Sequence, residues 1–490
     1  MERREFIGLG LAGVAAAALP VRLSTRARPD AGTARRVVVV GAGLAGLTAA
    51  HDLRDAGWDV VVLEGRTRVG GRVHTQRAPF SDGMHAEVGG ESIDDNHDAI
   101  QAQLRRFGLA TVARPPDRDA RGTTYFRGRR QSAADYVAAR GGKVLADYDR
   151  YYAAVDRLGD GVDPAHPESA RGAERLDRRS LAGFMDGLHL DPEARAIVEI
   201  AETSEYATEP ANLSLLFVAQ QAAVVHGVPD SAVETKRIGG GNDRLPHAMA
   251  AALGSSLRLG AEVTAVERRS DHVTVHTHGR PSVDAARVVI ALPPGPLRRV
   301  QFRPALPARV RAVVRRLDLG PAVKVMTEFP ERFWTHGSAS GLVISDLPFH
   351  VAWDATDSVP STAGILTTFT TGTMAERLGA RTDAARIAAV HRQLTRVFPE
   401  ARGSAGAAAT HAWRNDPFTG GGYAFWRPGE FMASWPVLRE PVGRVHFAGE
   451  HTEALAGYME SAVRSGHRVA AAIGAPPRTR ASGRPARASG

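Results

Sequence analysis

Forty residues, Arg36 to Thr75, constrain this chain more than any other stretch, because they specify a local fold and a kind of ligand together. Arg36–Val40, RVVVV, has the β-branched run of a buried parallel strand and ends on a glycine. Leu44 to Ala56 then carries apolar residues at helical spacing until Gly57 stops it. Between the two, Gly41, Gly43 and Gly46 form GxGxxG, with Ala45 inside it. The first glycine permits a tight turn, the second lets backbone approach a pyrophosphate, and the third lets helix and strand pack closely. The helix N-terminus faces the phosphate charge. A second strand, Val60 to Leu63, delivers Glu64, 18 residues after Gly46, where a carboxylate accepts hydrogen bonds from both hydroxyls of an adenosine ribose. A lone GxGxxG says little, but one with its strand, helix and acid in place specifies a dinucleotide site.

The residues after Glu64 narrow the choice of dinucleotide. GRTRVGGRVHT makes a second glycine-rich turn at Gly71, and places Arg66 and Arg72 where guanidinium groups can neutralise phosphates, a feature that nicotinamide enzymes do not need. Glu64 to Thr75 resembles the second signature of the FAD-dependent amine oxidase superfamily, which includes monoamine oxidases, polyamine oxidases and L-amino-acid oxidases. The resemblance runs from Arg36 to about Ile473. It implies an α/β fold in which a GxGxxG, Rossmann-like FAD domain is assembled from discontinuous segments around an inserted α+β substrate domain. The FAD domain is expected at residues 34–100, 230–296 and 409–474, a mainly helical substrate segment at 101–229, and the substrate sheet with its helices at 297–408.

Composition agrees with a large globular protein: 490 residues, 43% hydrophobic, enough for a sizeable core. The net charge of +9 comes from arginines spread along the chain without an aromatic-interleaved basic module, so a nucleic-acid partner is not implied. There is no cysteine, which excludes disulfides, thiolate metal sites and a cysteinyl flavin link. No metal-ligand spacing is present either; His272, His276 and His278 read as the solvent face of a strand. At the N-terminus, Arg3 and Arg4 before Glu5, Phe6 and Ile7 resemble the twin-arginine consensus, and Ile7 to Leu19 is short for a bilayer span. Residues 1–33 are therefore read as an export signal, with the twin-arginine translocation machinery as a partner and a periplasmic or extracellular destination. The alternative is a chance arginine pair before an uncleaved anchor. Residues 475–490, rich in proline, arginine and small residues, read as a disordered tail.

The resemblance also assigns roles along the chain. Gly89 and Gly90 in AEVGGESID are expected to lie flat against the isoalloxazine ring. Ser92 stands where venom-type L-amino-acid oxidases keep a carboxylate-binding arginine, and Glu91 beside it reads either as an attractor of a cationic amine or as a solvated loop acid. Glu202, Glu205 and Tyr206 lie in a stretch like one near the family's substrate cavity, though a solvated helix end accounts for the acids equally well. Val263 is placed at the adenine, Trp413 in a flavin-facing stretch, Gly449 and Glu450 by the ribityl and pyrophosphate, and Met459 at the pyrimidine end, where its helix dipole meets negative charge. Gly422 replaces the cysteine that carries flavin in monoamine oxidases, which implies non-covalent FAD. Three residues are assigned to the reaction: Lys324, in an alternating apolar strand, whose counterpart bonds a water at flavin N5, and Tyr423 with Tyr458, the aromatic cage around the amine.

The expectation is an oxidase that deaminates an amine by hydride transfer to flavin N5 and reduces O2 to hydrogen peroxide. Ser92 and Tyr458 lean toward an amine without an α-carboxylate. The alternatives are an L-amino-acid oxidase, a desaturase or protoporphyrinogen-type oxidase, and an exported flavin-binding protein without turnover. The oligomeric state, including a homodimer, is left open.

Overall fold

The computed structural model describes residues 32–474 except residue 82 and residues 116–119. The export-signal reading, apart from its last two residues, and the tail reading lie outside the described residues.

The valine run predicted as a buried strand is the middle of a five-stranded parallel sheet. Its order is Val445–Phe447, Arg287–Ile290, Arg36–Val40, Asp59–Leu63 and Leu257–Arg258. Val38 pairs with Val61 on one side and Val288 on the other, and Val37, Val38 and Val39 have no accessible surface, as residues covered on both sheet faces must. Three remote lengths of chain thus build one sheet. The first helix, Leu44–Asp55, starts at Gly43 with no side-chain cap, so its leading N–H groups are left to other acceptors. The C-terminal helix, Met459–Ile473, packs along it closely enough that a Cβ at Gly466 would sit 2.6 Å from the Ala45 carbonyl oxygen. Leu257–Arg258 joins the parallel sheet, while Val263–Arg268 and Val273–Thr277 pair antiparallel in a separate four-stranded sheet.

The second large sheet has seven strands in the order Ala408–Ala412, Ala322–Phe329, Gly364–Thr371, Val351–Asp354, Val343–Ser345, Thr123–Phe126 and Arg129–Ser132. Ala322–Phe329 lies between two antiparallel partners and is buried along nearly its whole length, Lys324 included. The alternating pattern around Lys324 therefore separates two covered faces rather than a core face from a wet one. Residues 101–229 supply the helices Ala133–Gly159, Pro192–Tyr206 and Leu215–Val225, and also the hairpin at one edge of the seven-stranded sheet. No helix among the described residues is long and apolar enough to cross a membrane.

Close contact between the first and last helices is expected to limit residue size. Gly466→Ala should lower the melting temperature by roughly 5 °C through about 1–3 kcal/mol of overpacking. Gly142→Ala, in open space within the helix Ala133–Gly159, should leave it unchanged or slightly raised. Thermal unfolding of the two variants checks both.

Candidate active site

One cavity of about 690 Å³ runs from the GxGxxG turn to the helix Pro192–Tyr206. Gly41, Gly43, Ala45, Glu64, Arg66, Gly71, Arg72, Val263, Gly449 and Glu450 all line it, as do Gly89, Gly90, Trp413, Met459, Lys324, Tyr423 and Tyr458. Gly46 does not. Its missing Cβ would fall 2.0 Å from the Gly41 carbonyl oxygen, so it serves helix–strand packing.

At the turn, Gly43 is the position with room: an added Cβ would have one neighbour, the Gly70 oxygen at 4.0 Å, and would otherwise project into the cavity. Glu64 is buried, lines the cavity and is fixed by two backbone donors, Ala42 N–H to Oε2 at 2.7 Å and Arg66 N–H to Oε1 at 2.9 Å. Both arginines are held by acids. Arg66 donates to Asp416 at 2.6 Å and lies over the Phe418 ring; Arg72 donates to Glu450 at 2.7 Å and to the Gly422 carbonyl at 2.6 Å. Burial works against ionisation of Asp416, but the His411 ring 3.5 Å away and the Arg66 guanidinium hold its carboxyl well below the usual range.

The Gly89–Gly90 turn is also constrained by its protein neighbours. A Cβ on Gly89 would enter the Arg72 carbonyl at 1.7 Å, and one on Gly90 would strike the Met459 side chain at 2.9 Å. At Gly89 the backbone alone excludes a side chain, whereas at Gly90 the Met459 side chain would have to move. Trp413 braces the same turn by donating to the Val88 carbonyl at 3.0 Å.

Lys324 crosses from the seven-stranded sheet to this turn. Its Nζ donates to the carbonyls of Glu87 (2.9 Å) and Gly89 (3.0 Å) and to Glu91 Oε2 (2.9 Å), and stands 4.9 Å from the centre of the Trp353 ring. The solvated-acid reading of Glu91 needs correction: it is 9% exposed and takes Lys324 on one oxygen and the Trp353 indole N–H, at 2.8 Å, on the other, while still lining the cavity. Burial alone would raise its pKa, but the charges of Lys324, Arg237 and Arg114 outweigh burial and hold it down at about 2.

Farther along, Tyr423 Oη donates to the Ser204 carbonyl at 2.8 Å and Tyr458 Oη to Glu205 Oε1 at 3.2 Å. Gly457 draws these two stretches together: a Cβ there would touch Tyr423 at 3.4 Å. Three participants escaped the sequence reading. Trp353 covers Lys324, the helix residues Ile197, Ile200 and Ala201 wall the cavity, and Arg114 reaches Ser92 Oγ at 2.7 Å. An arginine thus comes to Ser92 from 22 residues away, with no local motif to announce it.

Residues 44–474 match the family described as flavin containing amine oxidoreductase. The chain belongs to that family. A Mycobacterium tuberculosis protein described as flavin-containing monoamine oxidase AofH is 31% identical over 453 residues, covering 90% of this chain and 96% of its own length. Bovine flavin-containing amine oxidase A is 28% identical over 472 residues, covering 90% of this chain and 85% of its own. Among solved structures, cyclohexylamine oxidase from Brevibacterium oxydans superposes with a TM-score of 0.81 at 27% identity, and putrescine oxidase bound to putrescine with 0.80 at 28%. These alignments cover 89% and 90% of this chain, and 98% of each neighbour.

The cofactor of this amine oxidoreductase is FAD, and the donor set fits it. The uncapped helix start and the open space over Gly43 suit a pyrophosphate, the pinned Glu64 suits a ribose, and the N-terminus of the Met459 helix lines the same cavity. With no cysteine in the chain and glycine at position 422, non-covalent binding is consistent with the residues present.

Glu87 gives the site a pH signature. It is 3% exposed, accepts from Thr75 Oγ1 and Asn242 N–H, and burial pushes its carboxyl up to about 8. Between its ordinary pKa near 4.5 and about 8 the unfolded chain loses a proton that the folded chain keeps, so rising pH destabilises the fold across that window. Glu87→Gln is expected to remove this loss. Melting temperatures from pH 5 to 9 should fall less in the variant than in the wild type.

Proposed function

We propose that this enzyme deaminates an amine without an α-carboxylate, held neutral between Tyr423 and Tyr458. The observation that carries the reading is that these two tyrosines, 35 residues apart, are anchored side by side on the helix Pro192–Tyr206 in the same cavity as the dinucleotide cradle. Their hydroxyls are spent on that helix, so what they offer a ligand is their ring faces, which favour the nitrogen substituent and orient the adjacent carbon. When bound, FAD would supply the acceptor for the hydride from the amine's α-carbon and the route by which that electron pair reaches O2 as hydrogen peroxide. The resulting imine is hydrolysed by water. Lys324 contributes a positive charge fixed under the Gly89 turn, where the Glu91 carboxylate and two carbonyls keep it in place.

Arg114 supports a second reading, an amino acid whose carboxylate it would grip. Its charge is already faced by two acids, however: Glu234 Oε2 lies 3.4 Å from Nη1, and Asp357 Oδ2 lies 3.8 Å from Nε. A substrate carboxylate would have to displace them, which favours the plain amine.

The deciding experiment is the flavin spectrum recorded anaerobically against a panel of amines and L-amino acids. Amines alone should bleach the oxidised band; bleaching by amino acids alone would overturn the reading in favour of Arg114. The lysine is tested in a background that avoids stranding a buried carboxylate. Lys324→Met combined with Glu91→Gln should retain FAD while turnover falls by roughly 10- to 1000-fold relative to Glu91→Gln alone, whereas equal rates would remove Lys324 from the reaction.

A further inference from the structure

The helix Pro192–Tyr206 presents Ile197, Ile200, Ala201, Ser204 and Glu205 to the cavity, a stripe at three- and four-residue spacing that is apolar until its last turn. Glu205 ends it. Its side chain lines the cavity and its surface is open to it. Its hydrogen bond comes from Tyr458 Oη, and no basic group pairs with it among the described residues.

The charges nearby do not compensate it. Glu234, also on the cavity wall, adds negative charge, and its backbone N–H is bound by a third acid, Asp94, at 2.8 Å. Arg114 is turned to Glu234 and Ser92, and Lys324 is closed off against Glu91. Burial and Glu234 push the Glu205 carboxyl up, as expected of an acid with no cation to stabilise its charge. An enzyme that placed this acid beside a reacting amine gains only if a cation arrives with the substrate.

That cation is not the reacting nitrogen. On the reading proposed above, on which this inference rests, the amine between the tyrosines is neutral, because an ammonium does not release hydride from its adjacent carbon. The group that meets Glu205 is therefore a second nitrogen of the same molecule. Tyr458 Oη marks the outer edge of the ring face, so the second site begins just beyond it. We propose that Glu205 is a specificity-determining residue that binds the distal ammonium of a short diamine, holding the substrate by its far end while the near amine is oxidised.

The test compares putrescine and cadaverine with n-butylamine and n-pentylamine by peroxide release and by anaerobic flavin bleaching, in the wild type and in Glu205→Gln. The glutamine keeps the shape and the hydrogen bond from Tyr458 while removing the charge, and the flavin spectrum reports that the fold is intact. The wild type should prefer each diamine over its matched monoamine by about 10-fold or more in kcat/KM. Glu205→Gln should lower kcat/KM for the diamines by roughly 10- to 100-fold, mainly through KM, and change the monoamines by less than about 3-fold. Monoamines that bleach the flavin as well as diamines do, or an equal loss for both classes in the variant, would overturn the role of Glu205 while leaving the amine oxidase reading intact. A flavin bleached by neither class would overturn both.

Discussion

The ammonium of Lys324 ties together parts of the molecule that have no other reason to meet. It rises from a strand of the seven-stranded sheet and ends on the carbonyls of Glu87 and Gly89 and the carboxylate of Glu91, all in the turn after the first dinucleotide-binding stretch. A cation 5% exposed is costly to bury, and the cost is offset only while every N–H has an acceptor and the opposing charge stays close. The requirement works in both directions. The sheet fixes the lysine, and the lysine fixes the turn.

Steric limits extend the same precision along the cavity. Gly89 cannot carry a side chain because the Arg72 carbonyl is there, Gly466 cannot because the first helix is, and a side chain at Gly90 would displace Met459. Each contact draws together segments that are far apart in the chain, so the cavity keeps its shape without a metal or disulfide among the described residues. Polar atoms left over are aimed inward, with Glu64 at one end and Glu205 at the other.

Charge placement is where local reading of the chain fell short. Glu91 and Glu205 are both acids in polar-looking stretches, and nothing within a few residues of either reveals its surroundings. In the folded chain Glu91 is neutralised by Lys324, 233 residues away, whereas Glu205 meets a tyrosine hydroxyl 253 residues away and, among the described residues, no cation. The arginine beside Ser92 is similar: Arg114 arrives on the far side of a helix and a strand. Hydrophobic periodicity reports which side of an element is buried, but not which charged group will be waiting there.

The sequence by itself determined the βαβ unit at Arg36–Leu63, the acid that closes it, the flavin family and the tyrosine pair. Those signals are contiguous, and they rest on turn sterics, strand and helix periodicity and the motifs around each residue. Only the tertiary structure decided that Lys324 spends its donors on a glycine turn, that Glu91 is its counter-charge, and that Glu205 faces an open cavity with no cation beside it among the described residues. Burial, desolvation and ion pairing depend on distances between segments hundreds of residues apart, and those distances exist only once the sheets have assembled.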